Sequence, residues 1–277
     1  MISGRTRVIA HLGYPTEAFK APMIYNPYFE HAGIDAVVVP MGVKSDDYRA
    51  LLRPLFQLTN LHGALVTMPH KVTTAALLDE VTPTVEIAGS CNAILKRDDG
   101  TLLGDMFDGE GFVRGVMRKG RSIAGAQALV IGAGGVGSAI AASLAAAGTA
   151  GIGVFDAHPA MADALATRLR RHCAKLDVRT GAADPAGYDI VVNATPLGMR
   201  DGDPLPCDVD RISPDAFVGE VVMKEEYTPF LRAAIARGCE VQVGTDMLYE
   251  MIPAYLEFFG FASTTPGELR SLSRIDH

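Results

Sequence analysis

Three short apolar runs mark the first hundred residues: RVIAHLG from Arg7, DAVVVPMGV from Asp35 and GALVTMP from Gly63, each closed by Gly or Pro. Runs of this length bounded by turn residues predict buried strands. The stretches between them, such as 45–58 and 70–78, have room for crossover helices, so a small α/β unit with a mostly parallel sheet is expected.

From Ala128 the pattern changes to ALVIGAGGVGSAIAASLAAAG, which reads as a buried strand, a glycine turn and an Ala-rich helix, followed by the strand GIGVFD. That order is a βαβ unit. Two more apolar runs, YDIVVNAT and AFVGEVVM, extend the sheet, with a helix over 228–237, so the second half reads as a doubly wound Rossmann domain. A last helix over 246–259 carries apolar residues at helical spacing and is closed by Gly260. The expected organisation is a first domain over 1–107, a Rossmann domain over 108–245 and C-terminal helices over 246–277, with a structured hinge near 107–125 and no internal repeat.

Composition narrows the function. The chain has 277 residues, 48% hydrophobic and 21% charged, with a formal net charge of -7. A binder of the nucleic-acid backbone needs a basic face, so nucleic acid is not expected as a partner. No apolar run reaches the ~18 residues of a membrane span, and a cytoplasmic protein is expected. Cys91, Cys173, Cys207 and Cys239 form no CxxC pair and the histidines no metal-ligand spacing, so reduced thiols and no structural metal are expected. A homodimer is the commonest assembly for such a protein.

The glycine turn is the sharpest signal. Gly132-Ala133-Gly134-Gly135-Val136-Gly137 follows a buried strand and opens a helix, placing backbone amides where a pyrophosphate binds. Asp156 ends the next strand, 24 positions after Gly132, where a ribose partner is expected. A carboxylate there repels a 2′-phosphate, and Ala157, His158 and Pro159 supply no Arg to hold one. NAD is therefore expected as cofactor, with NADP less favoured.

Two polar clusters interrupt the apolar first half: Thr67-Met68-Pro69-His70-Lys71 at a strand end, and Asn92 with Gly104 to Gly109. Oxidation of an alcohol needs a base for the hydroxyl proton, and a Lys lowered by burial serves, oriented by a nearby Asp. From pattern alone Lys71 reads first as a solvated helix start.

Here the motifs add what spacing does not. VTMPHKV resembles the VTxPxK segment of the shikimate dehydrogenase family. GSCNAI resembles its GAVNT, GDMFDGEGF its GxNTDxxGF, VIGAGGVG its cofactor loop and NATPLGM its NATPLGM, all in family order over essentially the whole chain. The resemblance implies Lys71 and Asp108 as the catalytic pair, and Thr67 and Asn92 as holders of substrate hydroxyls. It implies Asn193, Thr195, Met223 and Gly244 along the cofactor crevice, and C-terminal helices that return to the substrate domain. The implied activity is hydride transfer between nicotinamide and a ring carbon of shikimate, quinate or a related cyclic hydroxy acid.

The chain also departs from that pattern. The two hydroxyls of the family's SxSP segment become Phe19 and Ala21 in Phe19-Lys20-Ala21-Pro22, and Lys20 is the candidate replacement grip on a carboxylate. The Asn of NVTxP is Leu65, the Thr of NTD is Phe107, a pocket Tyr is Met223 and a pocket Gln is Met251, with Glu250 one position before it. Where NADP-using members show Asn-Arg-Thr, this chain has Asp156, Ala157 and His158, which again suggests NAD. Losing several hydrogen-bonding groups shifts substrate preference, so a member acting on a less polar substrate stands beside the shikimate reading. A non-catalytic NAD or ligand sensor is the third.

Overall fold

In the computed structural model, which describes residues 2–17 and 19–275, the chain divides into two compact units. The first comprises residues 1–85, 89–107 and 252–277; the second comprises 86–88 and 108–251. Apart from the short stretch 86–88, one division falls between Phe107 and Asp108 and another inside the last long helix, between Met251 and Ile252.

The first unit runs β1 (Arg7–Gly13), α1 (Pro22–His31), β2 (Ala36–Gly42), α2 (Ser45–Leu55), β3 (Leu61–Val66), α3 (Lys71–Ala75), β4 (Glu80–Val81), α4 (Pro83–Ala88), β5 (Ala93–Lys96) and β6 (Leu102–Asp105). Its sheet has the order β2-β1-β3-β5-β6-β4. β1 pairs parallel with β2 and β3, as their crossover helices require. α2 starts on Asp46 and Asp47 and buries Tyr48 and Leu52, four apart on one face. β5 and β6 form an antiparallel hairpin against β3, which the apolar pattern did not reveal. The apolar residues of the two strands, Ala93 to Leu95 and Leu102 with Leu103, are cut short by Lys96 and Gly104, so no apolar run stands out. Gly104 is closely packed there: a Cβ would lie 2.3 Å from Leu78 Cδ1 and 2.9 Å from Cys91 Sγ, so both side chains would have to shift.

The second unit begins with α5 (Asp108–Arg118) and continues β7 (Gln127–Ile131), α6 (Gly135–Ala146), β8 (Gly151–Phe155), α7 (Pro159–His172), β9 (Asp177–Thr180), β10 (Ile190–Asn193), β11 (Phe217–Glu220), α8 (Pro229–Ala236) and β12 (Glu240–Gln242). The sheet order β12-β11-β10-β7-β8-β9 is parallel throughout and reverses about β7, the doubly wound topology. α6 is buried nearly all round, which is why its sequence is Ala-rich with Ile140 and Leu144 as its large core residues. α8 is capped by Thr228, whose hydroxyl accepts from Leu231 N, with Pro229 at its first position.

The long helix α9 (Gly244–Phe258) leads back into the first unit, which α10 (Pro266–Leu272) completes. There Tyr255, Phe258, Phe259 and Phe261 gather with Phe107 and Phe29 into an aromatic core. No helix among the described residues is long and apolar enough to cross a membrane.

Candidate active site

In the second unit the loop between β7 and α6 has a distinct reason for each key glycine. Gly132 takes φ +107°, and a Cβ on it would lie 2.6 Å from the Ala194 carbonyl oxygen. Only glycine suits both demands. On Gly137 a Cβ would lie 1.9 Å from the Gly132 carbonyl oxygen, so this residue lets the first turn of α6 close on the loop. Gly134 is different: its Cβ direction is open, with nothing among the described residues within 4 Å. It sits at the helix N-cap without a side-chain cap, beside the amides of Gly135 and Val136 that a helix start leaves unpaired. Open space on bare amides at a helix N-terminus fits the pyrophosphate of a dinucleotide.

Asp156 braces this loop. Its Oδ2 accepts from Ala133 N and its Oδ1 from His158 N, both at 2.8 Å, while Gly132 N donates to Phe155 O at 2.7 Å. Asn193 is fully buried at the end of β10 and turns inward: its Oδ1 accepts from Thr195 N and Oγ1, and its Nδ2 donates to Leu197 O. Asn193 and Thr195 thus fold the NATPLGM turn, whose Ala194 packs against Gly132 and Gly137. Gly244 opens α9 where a Cβ would lie 2.1 Å from Val222 O, and Met223 is exposed on the loop after β11.

β11 ends on Glu220, a fully buried carboxyl that no motif marked. Burial pushes it up to about 7; Thr228 and Asn193 lie beside it and moderate the rise without reaching hydrogen-bonding geometry.

In the first unit the ends of β1 and β3 bring the other candidates together. Thr67 N donates to Leu12 O, and a Cβ on Gly13 would lie 2.4 Å from Thr67 Cγ2 and 2.8 Å from Phe19 Cζ. Lys71 is half-buried at the first position of α3. The turn before it is held by buried His70, which donates through its backbone N to Thr67 O, stacks on Tyr48 at 3.9 Å and bonds Val43 O through Nε2. Cys91 N donates to Lys71 O, tying the turn to the segment just before β5 that carries Asn92.

His11, on the same strand end, went unnoticed in the sequence. It is buried, its ring stacks on Phe19 at 4.1 Å, and its Nδ1 has no hydrogen-bond partner among the described residues. Burial, aided by the positive charge of Lys71, lowers it to about 4. A lone histidine in an apolar run carries no sequence signal; only folding brings Phe19 and Lys71 to it.

Asn92 is buried and its Oδ1 accepts from Phe107 N at 2.9 Å, so it fixes the backbone just before Asp108. Asp108 opens α5 and is buried. The glycines after it serve packing: a Cβ on Gly109 would lie 2.0 Å from Ala139 O, and one on Gly111 2.5 Å from Met247 O and 2.7 Å from Met251 Cβ. Phe107 joins the aromatic core, with Tyr255 at 4.7 Å and Phe258 at 5.3 Å. Of the substituted SxSP segment, Phe19 reaches His11, Ala21 precedes α1 as its N-cap, and Lys20 is exposed. Met251 falls in the second unit, and Glu250 is committed to Arg118 at 2.5 Å.

Residues 12–94 match the shikimate dehydrogenase substrate binding domain. The chain is 35% identical over 98% of its length to the shikimate dehydrogenase (NADP(+)) of Rubrobacter xylanophilus, covering 97% of that protein. It is 33% identical to the enzyme of the same name from Acidiphilium cryptum, over 94% of this chain and 93% of that one. Among solved structures, the shikimate 5-dehydrogenase of Listeria monocytogenes in complex with shikimate and NAD superposes with a TM-score of 0.91 at 25% identity, over 98% of this chain and 97% of that one. These relatives correct the expected preference for NAD with NADP less favoured, since both at higher identity are NADP(+) enzymes by name. The physical reason lies in Asp156: both of its oxygens accept backbone amides of the loop, so its presence does not report a ribose partner. With its motifs in order, its two-unit fold and this identity along nearly its whole length, the chain belongs to the shikimate dehydrogenase family.

Proposed function

We propose that this protein is an NADP-dependent oxidoreductase acting on a ring hydroxyl or ketone of shikimate, quinate or a related cyclic hydroxy acid. The observation that carries this reading is the retention of Lys71 at the start of α3 and of buried Asp108 at the start of α5 in a chain otherwise altered around the pocket. When bound, the nicotinamide supplies the hydride acceptor or donor.

The protein's own residues do the rest. Lys71 Nζ takes the hydroxyl proton as the ring carbon is oxidised and returns it in reduction, and Asp108 orients the ammonium. Thr67 lines the substrate side, and Asn92 sets the backbone that presents Asp108. The amides of Gly135 and Val136 at the start of α6 would hold the pyrophosphate, with Gly134 leaving room for it, while Gly132, Ala133 and Gly137 shape the turn and Asp156 keeps it closed. Asn193 folds the turn that carries Thr195, and Thr195, Met223 and Gly244 are the residues that would lie beside the nicotinamide.

Initial rates of NADPH formation at 340 nm with shikimate and with quinate test this. NADP-linked turnover that falls steeply in Asp108→Asn is the expected result; no turnover of either acid with NADP overturns it. The absent hydroxyls at Phe19 and Ala21 favour a second reading, a member whose preferred ring is less polar.

A further inference from the structure

The end of β1 presents a group that the reading above leaves unused. His11 and Gly13 lie on one face of the strand, since side chains two apart share a face. Phe19 reaches both of them: its ring stacks on the imidazole at 4.1 Å and its Cζ fills the space over Gly13, beside Thr67. Lys71 is near enough for its charge to act on the same imidazole. His11, Phe19, Thr67 and Lys71 therefore surround one spot.

At that spot a buried ring nitrogen, His11 Nδ1, has no partner among the described residues. A buried polar atom without a partner is costly, and native structures keep few of them. The FKAP segment offers no side-chain hydroxyl to hold an anion, and the proposed mechanism reserves Lys71 for proton transfer. A carboxylate packed between a neutral imidazole and a phenyl ring loses its hydration while Lys71, the cation beside it, is engaged by the reacting hydroxyl, whereas a hydroxyl or carbonyl is satisfied by one hydrogen bond.

We propose that His11 is a substrate-binding residue, hydrogen-bonding through Nδ1 to an uncharged hydroxyl or carbonyl, and that it makes the site prefer a neutral ring over the matching carboxylate. The stack with Phe19 holds the imidazole in place, and its burial keeps it uncharged at neutral pH. This rests on the reading that Lys71 faces the reacting hydroxyl.

The test uses shikimate and its methyl ester, with NADP, on the wild type, His11→Leu and His11→Asn. The expected result is a kcat/KM for the ester about tenfold or more above that for the acid in the wild type, the size of one well-used hydrogen bond or avoided desolvation. His11→Leu raises KM for the ester about tenfold with kcat little changed, and His11→Asn, which keeps a polar atom near Nδ1, recovers most of it. A preference for the acid, or an unchanged KM in His11→Leu, overturns the proposal. If neither compound is turned over while NADP still raises the melting temperature, the activity reading falls on its own. His11 is then judged by ester binding in the same melts: a shift in the wild type that His11→Leu loses supports it, and no shift in the wild type overturns it.

Discussion

The cofactor loop of one unit and the strand ends of the other hold their function in different currencies. Around Gly132 to Gly137 the requirement falls on the backbone: a positive φ, a missing Cβ at 1.9 Å from a carbonyl, an open side above bare amides. Around Lys71 it falls on side chains that converge from Phe19, His11 and Thr67. Backbone demands leave glycines at fixed spacing, whereas converging side chains leave separate residues that the sequence does not connect. The first site is conservative in form, and the second is where the chain has diverged.

The largest effect expected from this contrast is in the loop. Gly137→Ala pushes a methyl group onto the Gly132 carbonyl, so NADP binding disappears and the fold loses the ~1–3 kcal/mol typical of an overpacked site, read by titration and thermal melting. Gly134→Ala sharpens the point. With nothing among the described residues within 4 Å, it leaves the melting temperature of the free protein unchanged while weakening NADP binding, because the methyl group enters space reserved for the ligand. Equal losses of stability in the two variants contradict the distinction.

Next comes Glu220. Its folded value of about 7 lies above the 4.5 of a free glutamate, so the folded state holds its proton more tightly. Stability from this group is greatest below about 4.5, falls as pH rises to about 7 and is level above. Glu220→Gln removes that decline and raises stability at pH 8 by up to about 3 kcal/mol, measured by denaturation across pH. A parallel pH profile in the variant contradicts it. The smallest effect is at Arg118, which is largely exposed although its partner Glu250 is buried: Arg118→Gln costs stability through the carboxylate it strands, with no change in NADP affinity.

Much of the fold was legible because buried parallel strands are continuous apolar runs bounded by turn residues. β1, β2, β3, β7, β8, β10 and β11 all stood out as apolar runs, and the helix ending before Gly260 was marked by its spacing. The hairpin of β5 and β6 was not, since its apolar residues are cut short by Lys96 and Gly104, and Gly104 reads as a breaker when its role is to admit Leu78 and Cys91. Asp156 misled for a related reason. Position on the strand is visible in sequence, but hydrogen bonds to Ala133 and His158 are not, and they decide what its oxygens do. Asn193, expected along the crevice, likewise spends its side chain on its own turn. Phe107 looked like a pocket substitution and belongs to an aromatic core built from the far end of the chain.

The most direct test of the account separates the two regions: Lys71→Ala, assayed for shikimate oxidation with NADP and titrated with NADP in parallel. The account predicts a fall in kcat of about 10²- to 10⁴-fold, the usual contribution of a positioned acid–base group, with the dissociation constant for NADP unchanged. Retained turnover, or a loss of NADP binding as large as the loss of rate, contradicts the assignment of proton transfer to Lys71 and of cofactor holding to the glycine loop.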